Sequence, residues 1–310
     1  RKSPGIITPL PPRGGPLGAM LPSQRVKQGA RHGAPARDVE ADEAPGAGWA
    51  VLTKALRDAH ELPEWYPSAP FIKRRYRVGY GACDCVASVF ELHNESCNVW
   101  SHALGCAYFF NRSWSTAALL RFGDVSLRDD RTALLIFTAS ATVMLGTSAA
   151  YHTFHPVSQS AARRWLVADK IGIALMIAGS MVPGVWLGFR CADAVVRRLY
   201  LAAAFAVLGV GAALALDVVD ERHHATAFAS LVASAAAPAT HWALITPVAL
   251  VHEFLPKLGL MFALYGLGFA FYVSKWPERN APGVYDLLGS SHQLWHVCVV
   301  LAALAWHSDV

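Results

Sequence analysis

Three histidines and one aspartate, spread over three apolar stretches, carry the clearest chemistry in this chain. His292 and His296 lie in Ser290-Ser291-His292-Gln293-Leu294-Trp295-His296, at the head of the last apolar stretch. On a helix, residues i and i+4 share a face, so both imidazoles can reach one ion. His152 closes an earlier apolar stretch. Asp169 opens the next, 17 residues on and across a loop containing Pro156. Ionisable groups inside membrane segments are costly and mark function by default. Three neutral imidazoles suit Zn²⁺ and leave a fourth tetrahedral position for water, the open pattern of catalytic zinc. Zinc lowers the pKa of bound water to roughly 7. Asp169 is placed to orient that water and take its proton. Ser148, one turn before His152 on the same face, is a candidate to hydrogen-bond a neighbouring group or a substrate carbonyl.

The elements that must position these residues are membrane helices. The chain is 54% hydrophobic and only 16% charged, against about 25% charged in soluble domains, and its mean hydropathy is +0.31. The charge deficit lies after residue 98. On a criterion of roughly 20 apolar residues per span, seven spans are expected, at about 99–121, 132–151, 165–187, 196–216, 226–248, 257–274 and 287–307. The expected fold is therefore all-α: a polytopic seven-transmembrane helix bundle with a buried zinc site, in the plasma membrane or an endomembrane. The first span is the weakest, because Asn111, Arg112 and Ser113 interrupt it and a mid-helix Arg costs about 2.5–3.5 kcal/mol on insertion scales. In the fifth, Pro238, Thr240 and His241 predict a kinked helix facing the interior.

The basic cluster Lys73, Arg74, Arg75 and Arg77 precedes the first span and favours a cytoplasmic N-terminus. Arg163, Arg164, Lys275 and Arg279 fall on the same side, while Arg190, Arg197 and Arg198 oppose it. With seven spans, even spans end and odd spans begin on the N-terminal side. His152, Asp169, His292 and His296 then share one leaflet, whichever way the chain inserts.

Ahead of the bundle, residues 1–62 form a tail. Residues 1–46 are rich in Pro, Gly and Arg and are expected to be disordered. Trp49, Leu52, Leu56 and Ala59 predict a short amphipathic helix over 48–60. Residues 63–98 read as a juxtamembrane segment, with Val86, Val89, Phe90 and His93 at the spacing of an interfacial helix, and 99–310 as the membrane domain. The N-terminal residues lack the apolar core of a signal peptide, so the first span is expected to drive insertion. The net charge of +5 lies mainly in the tail and reads as orientation and headgroup contact rather than nucleic-acid binding. The six cysteines are scattered and suggest no disulfide framework.

Other polar residues have plainer readings. His93 and His102 read as interfacial or packing residues, and His155 and His307 as interface residues near span ends. His241 reads as a hydrogen-bonded interior residue, with a pocket role as the alternative. Lys170 is explained by snorkelling rather than by a chromophore.

At these residues the chain resembles the adiponectin and progestin receptor family (PAQR), which includes the haemolysin III-type proteins and, more distantly, resembles alkaline ceramidases. Residues Glu91 to Gly105, containing Asn98-Val99-Trp100-Ser101-His102-Ala103-Leu104-Gly105, look like the family's entry to the first span, with Ser101 where Thr is usual. Ser148-Ala149-Ala150-Tyr151-His152, Asp169-Lys170-Ile171-Gly172 and Gly179-Ser180-Met181-Val182-Pro183 follow. The block from Phe271 to Arg279, then Pro282-Gly283, Asp286, Ser291-His292-Gln293 and His296, is the most specific. The resemblance covers about 76–310. It implies a seven-helix fold with a cytoplasmic N-terminus, and one zinc held by His152, His292 and His296. It implies that Asp169 contacts the zinc-bound water, and that Ser148 is a serine shared with the ceramidases. It also implies a receptor for an extracellular protein or a steroid, with hydrolysis of the ceramide amide.

Three functions follow. The first is a zinc receptor with ceramidase-like activity on a lipid substrate such as ceramide. The second is a receptor with a purely structural zinc and no hydrolase activity. The third, a metal transporter, is disfavoured because the far halves of spans two, three and seven are apolar.

Overall fold

The computed structural model describes residues 54–216 and 223–309. The tail over 1–46 and the first part of the helix expected over 48–60 lie outside the described residues. From Lys54 onward that helix is not formed. Arg57 instead pairs antiparallel with Tyr76, with backbone hydrogen bonds of 2.8 and 2.9 Å, and only Ala59–Glu61 make a single 3-10 turn. Ala59 and Leu62 pack on a small core of Tyr66, Ile72 and Tyr76. Ala59 is thus used against a neighbouring segment of chain, not on a helix face. The juxtamembrane helix is short: α1 (Ala82–Ala87) runs into a 3-10 turn at Ser88–Phe90. Val86 and Phe90 are exposed, but His93 is fully buried.

The bundle follows as α2 (Ser96–Phe122), α3 (Arg128–Phe154), α4 (Gln159–Gly188), α5 (Ala194–Ala215), α6 (His224–Ser234), α7 (Ala236–Ile245), α8 (Val248–Ser274) and α9 (Ser291–Asp309). Local chemistry sets the ends. Ser158 Oγ accepts from Ala161 N–H at 3.2 Å to start α4, and Asp193 Oδ1 accepts from Val195 N–H at 2.7 Å to start α5, satisfying amides that have no partner inside the helix. The kink expected in the fifth segment is a break at Ala235. Pro238 lacks an N–H, and its ring crowds the carbonyl four residues back, at Ser234.

Among the described residues, five helical segments are long and apolar enough to cross a membrane: 125–157, α4, α5, 225–245 and α8. Helices α2 and α9 are not among them. Arg112, the residue that weakened the first span, sits inside an uninterrupted α2 and turns its Nε toward His307 Nε2 at 3.4 Å.

From α2 to α9 each helix packs on its neighbour in sequence, and α9 also packs on α2. The main core lies between α2, α3, α4 and α9, built from Phe109, Phe137, Leu145, Met176, Val299 and Ala303 among others. Helices α3 and α4 approach closely because α4 presents Gly172 and Gly179 on one face. A Cβ at Gly179 would sit 2.6 Å from Ser140 Cβ, and one at Gly172 would sit 3.0 Å from Met144 Cα. Small residues at this spacing let membrane helices touch along their backbones.

Candidate metal centre

The last turn of α3, the third turn of α4 and the first turns of α9 meet at one end of the bundle. There His292 Nε2 lies 3.4 Å from His152 Nε2 and 3.2 Å from His296 Nε2. One ligand atom from each of the three residues falls within 4.8 Å of the others. Nitrogens bound tetrahedrally at 2.0–2.1 Å from one ion stand about 3.3–3.4 Å apart, so the spacing fits a single ion held by three imidazoles. His152 and His296 are buried and His292 nearly so. The sequence-predicted ligands are therefore brought together, and they can hold a metal.

Asp169 is not one of the three converging groups. Its carboxyl is hydrogen-bonded to the Ser148 side chain and electrostatically coupled to His152. Ser148 is buried one turn below His152 on α3. The serine thus fixes a carboxylate next to the imidazoles, which is the arrangement an acid–base group needs.

The α9 imidazoles are held by the cap of their helix. Gln293 Oε1 accepts from Gly289 N–H at 2.7 Å, and its Nε2 donates to Leu287 O at 2.9 Å and to Asn94 O at 3.2 Å. Buried Glu278 accepts from Ser291 N–H at 2.7 Å and from the Ser291 hydroxyl. The polar letters around His292 in Ser291-His292-Gln293 are the fittings that anchor it.

Sequence reasoning missed Glu95. Its Oε2 lies 2.8 Å from His152 Nδ1, so a carboxylate orients that ring and directs Nε2 toward the other imidazoles. Asn98 Nδ2 donates to the same oxygen at 2.6 Å, and Asn94 Nδ2 to the other at 3.3 Å. The available signal was an acid at the entrance to an apolar span, flanked by two asparagines. His102 is also closer to the site than expected: it is buried and its ring stacks on His296, with centroids 3.8 Å apart. His155, expected at an interface, is buried against Tyr66. His241 is hydrogen-bonded to Tyr200 Oη at 2.9 Å, as an interior residue should be.

The haemolysin-III related family matches residues 90–307. Human progestin and adipoQ receptor family member 3 is 32% identical over 274 residues, covering 84% of this chain and 88% of that protein. The Drosophila melanogaster adiponectin receptor protein is 31% identical over 262 residues, covering 80% of this chain and 57% of that protein. Heptahelical transmembrane protein 3 of Arabidopsis thaliana is 28% identical over 305 residues, covering 82% of this chain and 86% of that protein. The chain belongs to the haemolysin III-related progestin and adipoQ receptor family. Like its PAQR relatives it is a multi-pass integral membrane protein, consistent with the five long apolar segments among its described residues. The family match takes in Glu95, Ser148, His152, Asp169, His292 and His296, and begins after Arg77.

Proposed function

We propose that this PAQR protein is a seven-span receptor that holds zinc on His152, His292 and His296 and hydrolyses the amide of a membrane lipid of the ceramide class. The observation that carries the reading is the convergence of three imidazole nitrogens, two pairs of them 3.2 and 3.4 Å apart, beside a carboxylate held by Ser148.

Seven spans require α2 and α9 to cross as well. Part of what lowers their hydropathy is polar residues turned inward, and in α2 the exposed Asn111 and Arg112 lower it further. Asn98, His102 and Thr116 of α2 and Gln293 and His296 of α9 are buried, while Leu104, Phe110, Trp114 and Leu301 are exposed. A helix with its polar residues inside and its apolar residues outside suits a lipid environment. The basic cluster before α2 supports a cytoplasmic N-terminus.

Zinc held by His152, His292 and His296 would supply Lewis acidity and make hydroxide available near neutral pH. Asp169, with its carboxyl fixed by Ser148, takes the proton from the attacking water and returns it to the leaving amine. Glu95, bound to His152 Nδ1, would keep that ring in the tautomer that leaves Nε2 free to hold the metal. A cavity of about 850 Å³ lies between α4, α7, α8 and the far end of α9. Trp306 lines it, ten residues beyond His296 and so about 15 Å along the helix. In this reading the cavity takes the far end of a lipid tail whose amide lies at the imidazoles. The receptor half rests on the relatives named as adiponectin and progestin receptors, and its ligand would be an extracellular protein or a steroid.

The test is ceramide hydrolysis by purified protein, with metal content measured alongside. Wild type should turn over, and Asp169→Ala should keep its zinc while losing about 10²–10⁴-fold in rate. Zinc without turnover in wild type would leave a receptor with a structural zinc.

A further inference from the structure

Among the described residues, the most deeply buried charge outside the imidazole cluster is Arg77, which is 0% exposed. A buried guanidinium is expensive unless its donors are used. Arg77 Nη2 donates to His152 O at 2.5 Å, and Nη1 donates to Thr153 O at 3.2 Å and to Ser88 Oγ at 2.9 Å. His152 and Thr153 lie in the last turn of α3, whose carbonyls have no partner within the helix. A cation at a helix C-terminus also meets the negative end of the helix dipole. Ser88, in turn, is fixed by donating to Cys85 O at 2.8 Å, and its own carbonyl faces His93 Nε2 at 3.1 Å.

The segment that carries Arg77 is tied to the rest of the site at two further places. Asn94 O accepts from Gln293 Nε2, next to His292. Asp286, in the connection before α9, accepts from Lys73 N–H at 2.8 Å and from Arg74 Nε at 3.3 Å. One pre-membrane stretch therefore touches both the α3 and the α9 carriers of the imidazoles. Sequence reading counted Arg77 among the basic residues that orient the chain, yet its side chain reaches no headgroup.

We propose that Arg77 is a positioning residue for the metal centre: from the pre-membrane segment, its fork of donors fixes the last turn of α3 and with it the imidazole of His152. This rests on the reading that the three histidines hold zinc. Lysine cannot replace it, because a single ammonium cannot reach two carbonyls and a hydroxyl in one plane.

The experiment uses the full chain in lipid nanodiscs and compares wild type, Arg77→Met and Arg77→Lys. Zinc release into excess chelator and amide hydrogen exchange over residues 151–155 are both followed. Zinc should leave Arg77→Met about tenfold faster or more, in line with other partners that orient metal ligands, and Arg77→Lys several-fold faster. Exchange over 151–155 should rise in both while exchange in the middle of α3 stays unchanged. A purely structural role would lower the melting temperature and leave release from the folded protein as in wild type. Folded variants with wild-type zinc release and wild-type exchange over 151–155 would overturn the proposal. If Arg77→Met does not fold, Arg77→Lys decides by the same criteria. If wild type itself carries no zinc, the metal reading fails, and the exchange measurement alone decides whether Arg77 fixes the turn.

Discussion

Replacing Glu95 by alanine removes the carboxylate hydrogen-bonded to His152, and its cost can be worked from the contacts. Glu95 accepts from His152 Nδ1 at 2.8 Å, from Asn98 Nδ2 at 2.6 Å and from Asn94 Nδ2 at 3.3 Å. Alanine leaves these donors in a buried place, and each unsatisfied donor costs about 1–3 kcal/mol. The three share one acceptor, so their costs will not simply add. Loss of the partner of His152 lets the ring rotate and exchange tautomers, which for carboxylate–histidine–metal arrangements lowers metal affinity by 10–100-fold, or about 1.4–2.7 kcal/mol. Glu95→Gln keeps an oxygen for Nδ1 but puts an amide donor toward Asn94 or Asn98, so it should fall between the two. The assay is zinc affinity by competition with a chelator of known strength, on folded protein of matched helicity. Zinc affinity of Glu95→Ala within threefold of wild type would refute the argument that this carboxylate orients the ligand.

Ser148→Ala should retain zinc and lower amide hydrolysis, because Asp169 loses the hydroxyl that holds it; a wild-type rate would remove Ser148 from the chemistry. Gly179→Ala should lower stability by about 1–3 kcal/mol, since its new Cβ overlaps Ser140 on α3, and a melting temperature at or above that of wild type would show that α3 and α4 do not meet as described. His93, outside the spans, has its imidazole pushed down to about 3, first by burial and then by the Arg77 cation. A histidine depressed in the folded state stays neutral there while the unfolded chain takes up a proton. Its stabilising contribution is therefore full above about pH 6.5 and declines by about 1.4 kcal/mol per pH unit as the pH falls toward 3. Thermal unfolding of wild type should accordingly weaken more steeply below pH 6.5 than that of His93→Gln, and parallel pH profiles would contradict it.

The convergence of the three histidines was legible because its logic is local and periodic. A pair four residues apart on a helix, with a third histidine and an aspartate at opposite ends of adjacent spans, is constrained by helix geometry and by the alternation of span direction. Helix positions were legible for the same reason, down to the break caused by Pro238. What sequence patterning could not supply was the part of the site built by irregular backbone. Glu95 and Arg77 lie 57 and 75 residues from His152; Glu95 stands at the N-cap of α2 and Arg77 lies in irregular backbone ahead of α1, and only the packing of these elements brings both to the end of α3. The helix expected over 48–60 failed over its described part because apolar spacing does not say which surface will cover a face. There the Arg57–Tyr76 pairing and the Tyr66–Ile72–Tyr76 core take up the chain. The average hydropathy of α2 and α9 is lowered by inward polar residues and, in α2, also by the exposed Asn111 and Arg112.

The claim on which the rest depends is that His152, His292 and His296 hold zinc. Metal analysis of the purified protein, wild type against His292→Ala, tests it most directly. The account predicts a single zinc per chain in wild type and its loss in folded His292→Ala. Wild-type protein that carries no zinc and takes none up when zinc is supplied would contradict it.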